Sequence, residues 1–112
     1  MANVYKNAIY VPTTTANTTV YTCNATARAI MQTIQFANST GTHKVTANVF
    51  SYANNTTIQI GVDDIAAKTC VNLALGPIIL QERDALLLSS ESTTDVRAIV
   101  SILEVNRGSL TT

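Results

Sequence analysis

Short apolar runs separated by polar turns recur about every ten residues along this chain, the spacing of a sandwich or barrel rather than of helices. The clearest are VYTCNATARAIMQTIQFANST at positions 20–40 and VNLALGPIILQERDALLLSSESTTDVRAIVSILEV at 71–105, each a strand, a turn and another strand in quick succession. No segment carries a convincing helical period. DDIAAK at 63–68 is too short to stand as a helix in water and reads as a loop. The strands read as Val4–Val11, Thr18–Cys23, Arg28–Asn38, His43–Tyr52, Thr56–Val62, Thr69–Leu75, Ile78–Gln81, Ala85–Ser89 and Asp95–Val105. Alternation puts Ile30, Ile34 and Phe36 on one face of the third strand, with Gln32 among them, and Met31, Thr33 and Gln35 on the other. In the fourth strand Val45, Ala47 and Val49 face inward, and Lys44, Thr46 and Asn48 outward.

Eight to nine short strands in 112 residues need two packed sheets or a closed barrel. The expectation is an all-β, two-sheet antiparallel sandwich forming a single domain over residues 1–112. Polar terminal arms would span about 1–8 and 106–112. Jelly-roll and immunoglobulin-like connectivity both fit. The absence of tryptophan removes the antibody-type signature of a Trp packed on a disulfide.

The last strand is unusual. Val96, Ala98, Val100 and Ile102 form one apolar face, and Ile99, Leu103 and Val105 a second. An antiparallel sandwich strand normally keeps one face wet. A loop, the N-terminal segment or another subunit would have to cover the second face. Charged residues are only 12% of the chain, about half the usual share, and the net charge is zero. That composition protects poorly against self-association, so Ile99, Leu103 and Val105 are assigned to a subunit contact. On that assignment Leu103→Asp turns an oligomer into a monomer.

Little in the chain suggests chemistry. The seven basic residues are scattered, with no stripe to neutralise phosphates, which argues against nucleic acid. No run of 18 apolar residues exists to form a membrane helix, and the first residues lack a signal-peptide layout. The five Asn-x-Ser/Thr sites, at Asn17, Asn24, Asn38, Asn54 and Asn55, are accordingly read as unglycosylated. His43 is the only histidine and reads as an exposed or capping residue at a strand start. Asp63 and Asp64 are the only adjacent carboxylates; as neighbours they point apart, and a solvated loop suits them better than an acid–base pair. Tyr5, Tyr10, Tyr21 and Tyr52 are spread over separate strands and make no stacking platform. Cys23 and Cys70 read as reduced and half-buried, a cross-sheet disulfide being the alternative. Glu82-Arg83-Asp84 reads as a tight turn whose Asp bonds nearby backbone N–H groups, with Arg83 at the sheet rim. No enzyme motif, cofactor site or metal site is read.

The order TTVYTCNATARAIMQTIQFANST, VTANVFSY, VNLALGPIILQERDALLLSS and VRAIVSILEV, from about Thr18 to Val105, resembles small virion structural proteins of tailed bacteriophages, especially those of marine bacteria and cyanobacteria. The chain departs from that pattern at two turns. Asn24-Ala25-Thr26 stands where the family commonly has Pro-Ala-Gly, and Arg83-Asp84 where it commonly has Gly-Asp. The resemblance implies a β-sandwich subunit of the virion, made in the host cytoplasm and assembled onto the particle. Its partners would be further copies of itself, as a homotrimer or other homo-oligomer, and the major capsid protein. The implied role is capsid decoration (cement) on the outer head surface. The alternatives are a neck or tail component and, outside the family, a carbohydrate- or host-surface-binding module.

Overall fold

The structure, a computed structural model, describes residues 2–74 and 76–106. The described residues form nine strands in order: β1 (Ala2–Tyr10), β2 (Thr18–Thr22), β3 (Ala27–Asn38), β4 (His43–Ser51), β5 (Thr56–Ile65), β6 (Thr69–Asn72), β7 (Ile78–Leu80), β8 (Ala85–Ser90) and β9 (Val96–Asn106). They form two antiparallel sheets. One is ordered β1-β9-β3-β6, with β7 also on β3; the other is ordered β2-β8-β4-β5. The pairs nest: β1 with β9, β2 with β8, β3 with β6 and β7, β4 with β5. The chain is thus one long hairpin rolled up, and the rolling brings β9 against β3 and β8 against β4. This is jelly-roll connectivity, and it decides between the two topologies the sequence left open.

The core lies between the sheets. Val96, Ala98, Val100 and Ile102 of β9 are buried there, as their alternation requires. Tyr10 and Phe36 meet edge to face at 6.2 Å, the arrangement aromatic quadrupoles favour.

Strand β3 departs from the simple alternation. Ala27, Ala29 and Met31 are buried, and then Ile34, Phe36 and Asn38 are. The inward parity changes at Gln32, because the register against β9 slips between Met31 and Thr33. One extra residue in a strand carries every later side chain to the other face. Met31 therefore belongs to the core and Ile30 to the outer face, the reverse of the expected assignment. The β4–β5 pair also slips, by one extra residue in β5 at Ile60, while β4 keeps its phase against β8 from Val45 to Phe50. Asn48, expected outward, is buried and donates from Nδ2 to Asn17 Oδ1 at 3.0 Å.

Two further expectations change. Asp63, Asp64 and Ile65 are in β5 rather than a loop; β5 is a sheet edge, where charged residues are tolerated and even useful. Residues 2–8, assigned to an arm, are part of β1 and pair along β9. Positions 107–112 of the C-terminal arm, and Leu75, lie outside the described residues. The Asn54-Asn55 turn forms with Asn55 at φ 50°, a left-handed conformation that Asn tolerates better than most residues.

Candidate functional site

The outer face of the five-stranded sheet is built from residues directly opposite one another. Tyr5 faces Leu103, Leu103 faces Ile30, and Ile30 faces Ile79, so one apolar row crosses four strands. Tyr5 is 78% exposed and Ile79 63%. A second row places Ile9, 67% exposed, opposite Ile99, with Gln35 beyond it. Asn7, Ser101 and Thr33 lie between the rows. The Gln32 bulge brings Ile30 to this surface, because it lets Ile30 face outward while Ile34 and Phe36 face the core.

Charge is confined to the ends of the face. Arg28 lies opposite Val105 at one end and Arg97 opposite Ala37 at the other. Arg28 is partly neutralised by Glu82, Nε to Oε1 3.6 Å. Arg97 donates to the backbone oxygens of Thr94 and Val96. No charged residue occupies an outward position between them among the described residues. Depletion of charge with retention of aromatic and branched side chains is the composition of an interface centre. Of the three residues assigned to a subunit contact, Ile99 is exposed, Leu103 and Val105 are half-buried, and all three share this face. Tyr5, Ile9, Ile30 and Ile79 were not included from the sequence. They join only through cross-strand register, which one strand read alone does not carry.

A polar cluster ties the two sheets at one end. The Tyr21 hydroxyl of β2 donates to Glu104 Oε2 of β9, and Lys6 Nζ lies 3.5 Å from Oε1. Glu104 is buried. The Tyr21 bond, assisted by Lys6, holds its carboxyl below the usual range despite burial. Burial first, then the same carboxylate, pushes the Tyr21 hydroxyl up. The two directions agree: a neutral phenol serves an ionised carboxylate. Cys23 beside them is buried, its Sγ 3.3 Å from the Ala27 carbonyl oxygen, and burial raises its thiol too.

His43 is neither exposed nor a cap. Its Nε2 lies 3.1 Å from Asp95 Oδ2 and its Nδ1 3.8 Å from Glu91 Oε1. A hydrogen bond from Thr40 leads the contacts that hold Asp95 below its ordinary value. Asp84 acts as the turn expects: its two carboxylate oxygens accept from Gln81 N and Tyr52 N, each at 3.0 Å. Arg83, at φ 70°, lies over the Tyr52 ring at 5.1 Å. Asp63 and Asp64 are both exposed, the Asp64 N–H donating to Asp63 Oδ1. The cysteines are free and differ, Cys23 buried and Cys70 exposed, rather than both half-buried. Among the described residues no group of His, Cys, Asp and Glu is arranged to hold a metal ion.

No family model matches the chain, and no curated protein does. Solved structures share its fold at very low identity. A chain of the infectious bursal disease virus particle superposes with TM-score 0.58 at 7% identity, over 95% of this chain and 32% of that one. The chain thus spans about a third of the length of that viral protein. A subunit of the disulfide-linked pili of Bacillus endospore appendages superposes with TM-score 0.54 at 11% identity, over 94% of this chain and 87% of the other. Neither is a tailed-phage protein, so the phage resemblance rests on sequence alone.

Proposed function

We propose that this chain is a structural, non-enzymatic subunit of a tailed-phage particle, a decoration (cement) protein that binds the outer surface of the head and stabilises the shell. The observation that carries the reading is the apolar outer face of the five-stranded sheet, whose charged residues, Arg28 and Arg97, stand only at its ends. A fold shared with a virus particle protein supports the structural class.

The mechanism is mechanical. A subunit that binds the assembled lattice and not its separated parts stabilises the lattice by mass action. Contacts repeated by symmetry add through multivalency. Ile99, Leu103 and Val105 would sit in such a contact, with Tyr5, Ile30 and Ile79 continuing the row. The test is binding of the purified chain to mature heads against dissociated capsid protein. The reading expects saturable binding to heads only, weakened at least tenfold by Leu103→Asp. Equal binding by Leu103→Asp overturns the role of this face, and no binding to heads overturns decoration.

A neck or tail subunit is the second reading. The likeness in fold to a subunit of disulfide-linked pili, over most of both chains, favours it.

A further inference from the structure

A sheet edge presents unpaired backbone N–H and C=O groups, and proteins block edges with short strands, bulges, charges or proline. Three edges here carry such devices. Strand β2 has five residues and a register slip between Thr19 and Tyr21. Strand β5 has a register irregularity and the Asp63-Asp64 pair. The edge beyond β3 is split into β6 of four residues and β7 of three. Strand β1 has none of them. It runs nine residues in unbroken register with β9 and contains no proline. Its one charge, Lys6, turns toward Glu104.

We propose that the free edge of β1 pairs antiparallel with β1 of a second copy, about a two-fold axis through Asn7, joining two five-stranded sheets into one. The argument for a second copy is self-complementarity. A two-fold axis normal to the sheet keeps outer face with outer face, so paired residue numbers share parity. Centring on Lys6 would set two lysines directly opposite, which is destabilising. Centring on Tyr5 would set Ile9 and Val11 opposite positions before Ala2, outside the described strand. Centring on Asn7 sets Tyr5 opposite Ile9 twice, Val4 opposite Tyr10, Lys6 opposite Ala8 and Asn3 opposite Val11. Tyr5, Ile9, Val4 and Val11 are all exposed in the single chain, and aromatic–branched pairs across strands are among the favourable ones. Pro12 ends the paired segment, as it has no N–H to contribute. The contact is one strand deep, well under the roughly 800 Å² per partner of a standard interface. The dimer is therefore weak and needs high concentration to populate. It does not depend on the head-binding reading.

Cross-linking tests the axis. Residues paired directly opposite have Cα atoms about 4.5–5.5 Å apart, within the range a disulfide spans. In a Cys70→Ser background, Asn7→Cys under mild oxidation gives a covalent dimer at least tenfold faster than Lys6→Cys, whose two copies are offset. Equal rates, or no cross-link with either, overturn the register. In sedimentation, Asn7→Lys places two cations on the axis and shifts the dimer to monomer, while Leu103→Asp, on the sheet face and not the edge, leaves this dimer intact, unlike the monomer expected from assigning Leu103 to the subunit contact. A dimer lost with Leu103→Asp but kept with Asn7→Lys, or a monomer at every concentration, overturns the proposal.

Discussion

Replacing Tyr21 by Phe removes one hydroxyl and leaves the ring in place, so no cavity opens. What is lost is the hydrogen bond to Glu104, a buried carboxylate that keeps Lys6 Nζ at 3.5 Å and a bond from Asn106. Hydrogen bonds to charged groups contribute about 1.5–3 kcal/mol, so the expected loss is about 2 kcal/mol. For a domain of this size that lowers Tm by roughly 8 °C. The pH dependence carries the mechanism. Glu104 is held below its ordinary value, so its contribution is present above the unfolded carboxyl pKa and lost as pH falls through the folded one. The gap between wild type and Tyr21→Phe therefore narrows below about pH 4, to the roughly 1 kcal/mol of a neutral bond. At the other end, the Tyr21 hydroxyl is pushed up in the fold. Wild type therefore loses stability as pH rises above about 10, and Tyr21→Phe lacks this component. Thermal melts followed by circular dichroism from pH 3 to 11 measure both limbs. A double-mutant cycle with Glu104→Gln isolates the coupling, expected at about 1–2 kcal/mol. A Tm change under 2 °C with no pH dependence would refute the reasoning.

Other outcomes follow from single contacts. Tyr10 has a buried hydroxyl with no partner among the described residues, so Tyr10→Phe keeps stability or raises it by up to about 1 kcal/mol in denaturant titration. Asp84→Ala leaves the backbone N–H groups of Gln81 and Tyr52 without their acceptor and should cost about 2–3 kcal/mol; an unchanged denaturation midpoint would show that the turn holds itself. Cys70 should react with a thiol reagent in the folded protein and Cys23 only on unfolding, as their exposure dictates; equal labelling rates would contradict the buried placement.

Much of the architecture was legible because β alternation is local. Strand β9 reads correctly from Val96 to Ile102, since every second residue is apolar and buried. The phase of β3 was not legible beyond Gln32, because a bulge is defined by the partner strand. A polar residue falling among Ile30, Ile34 and Phe36 was its one visible trace. Glu104 gave a similar trace. It continues the inward parity of Val96 to Ile102, so a carboxylate there demands partners. Tyr21 lies 83 residues away and only the roll-up brings it near. The strand at Asp63-Asp64 was hidden because an edge strand need not alternate. The outer face was legible in part: Ile99, Leu103 and Val105 show on one strand, while Tyr5, Ile30 and Ile79 join them only through register.

The most direct test of the structural role is the copy number of this chain per purified particle, measured by quantitative mass spectrometry against the major capsid protein. The decoration reading predicts hundreds of copies, in fixed ratio to the head lattice. A few to a few dozen copies would move the chain to the neck or tail, and its absence from particles would contradict the account.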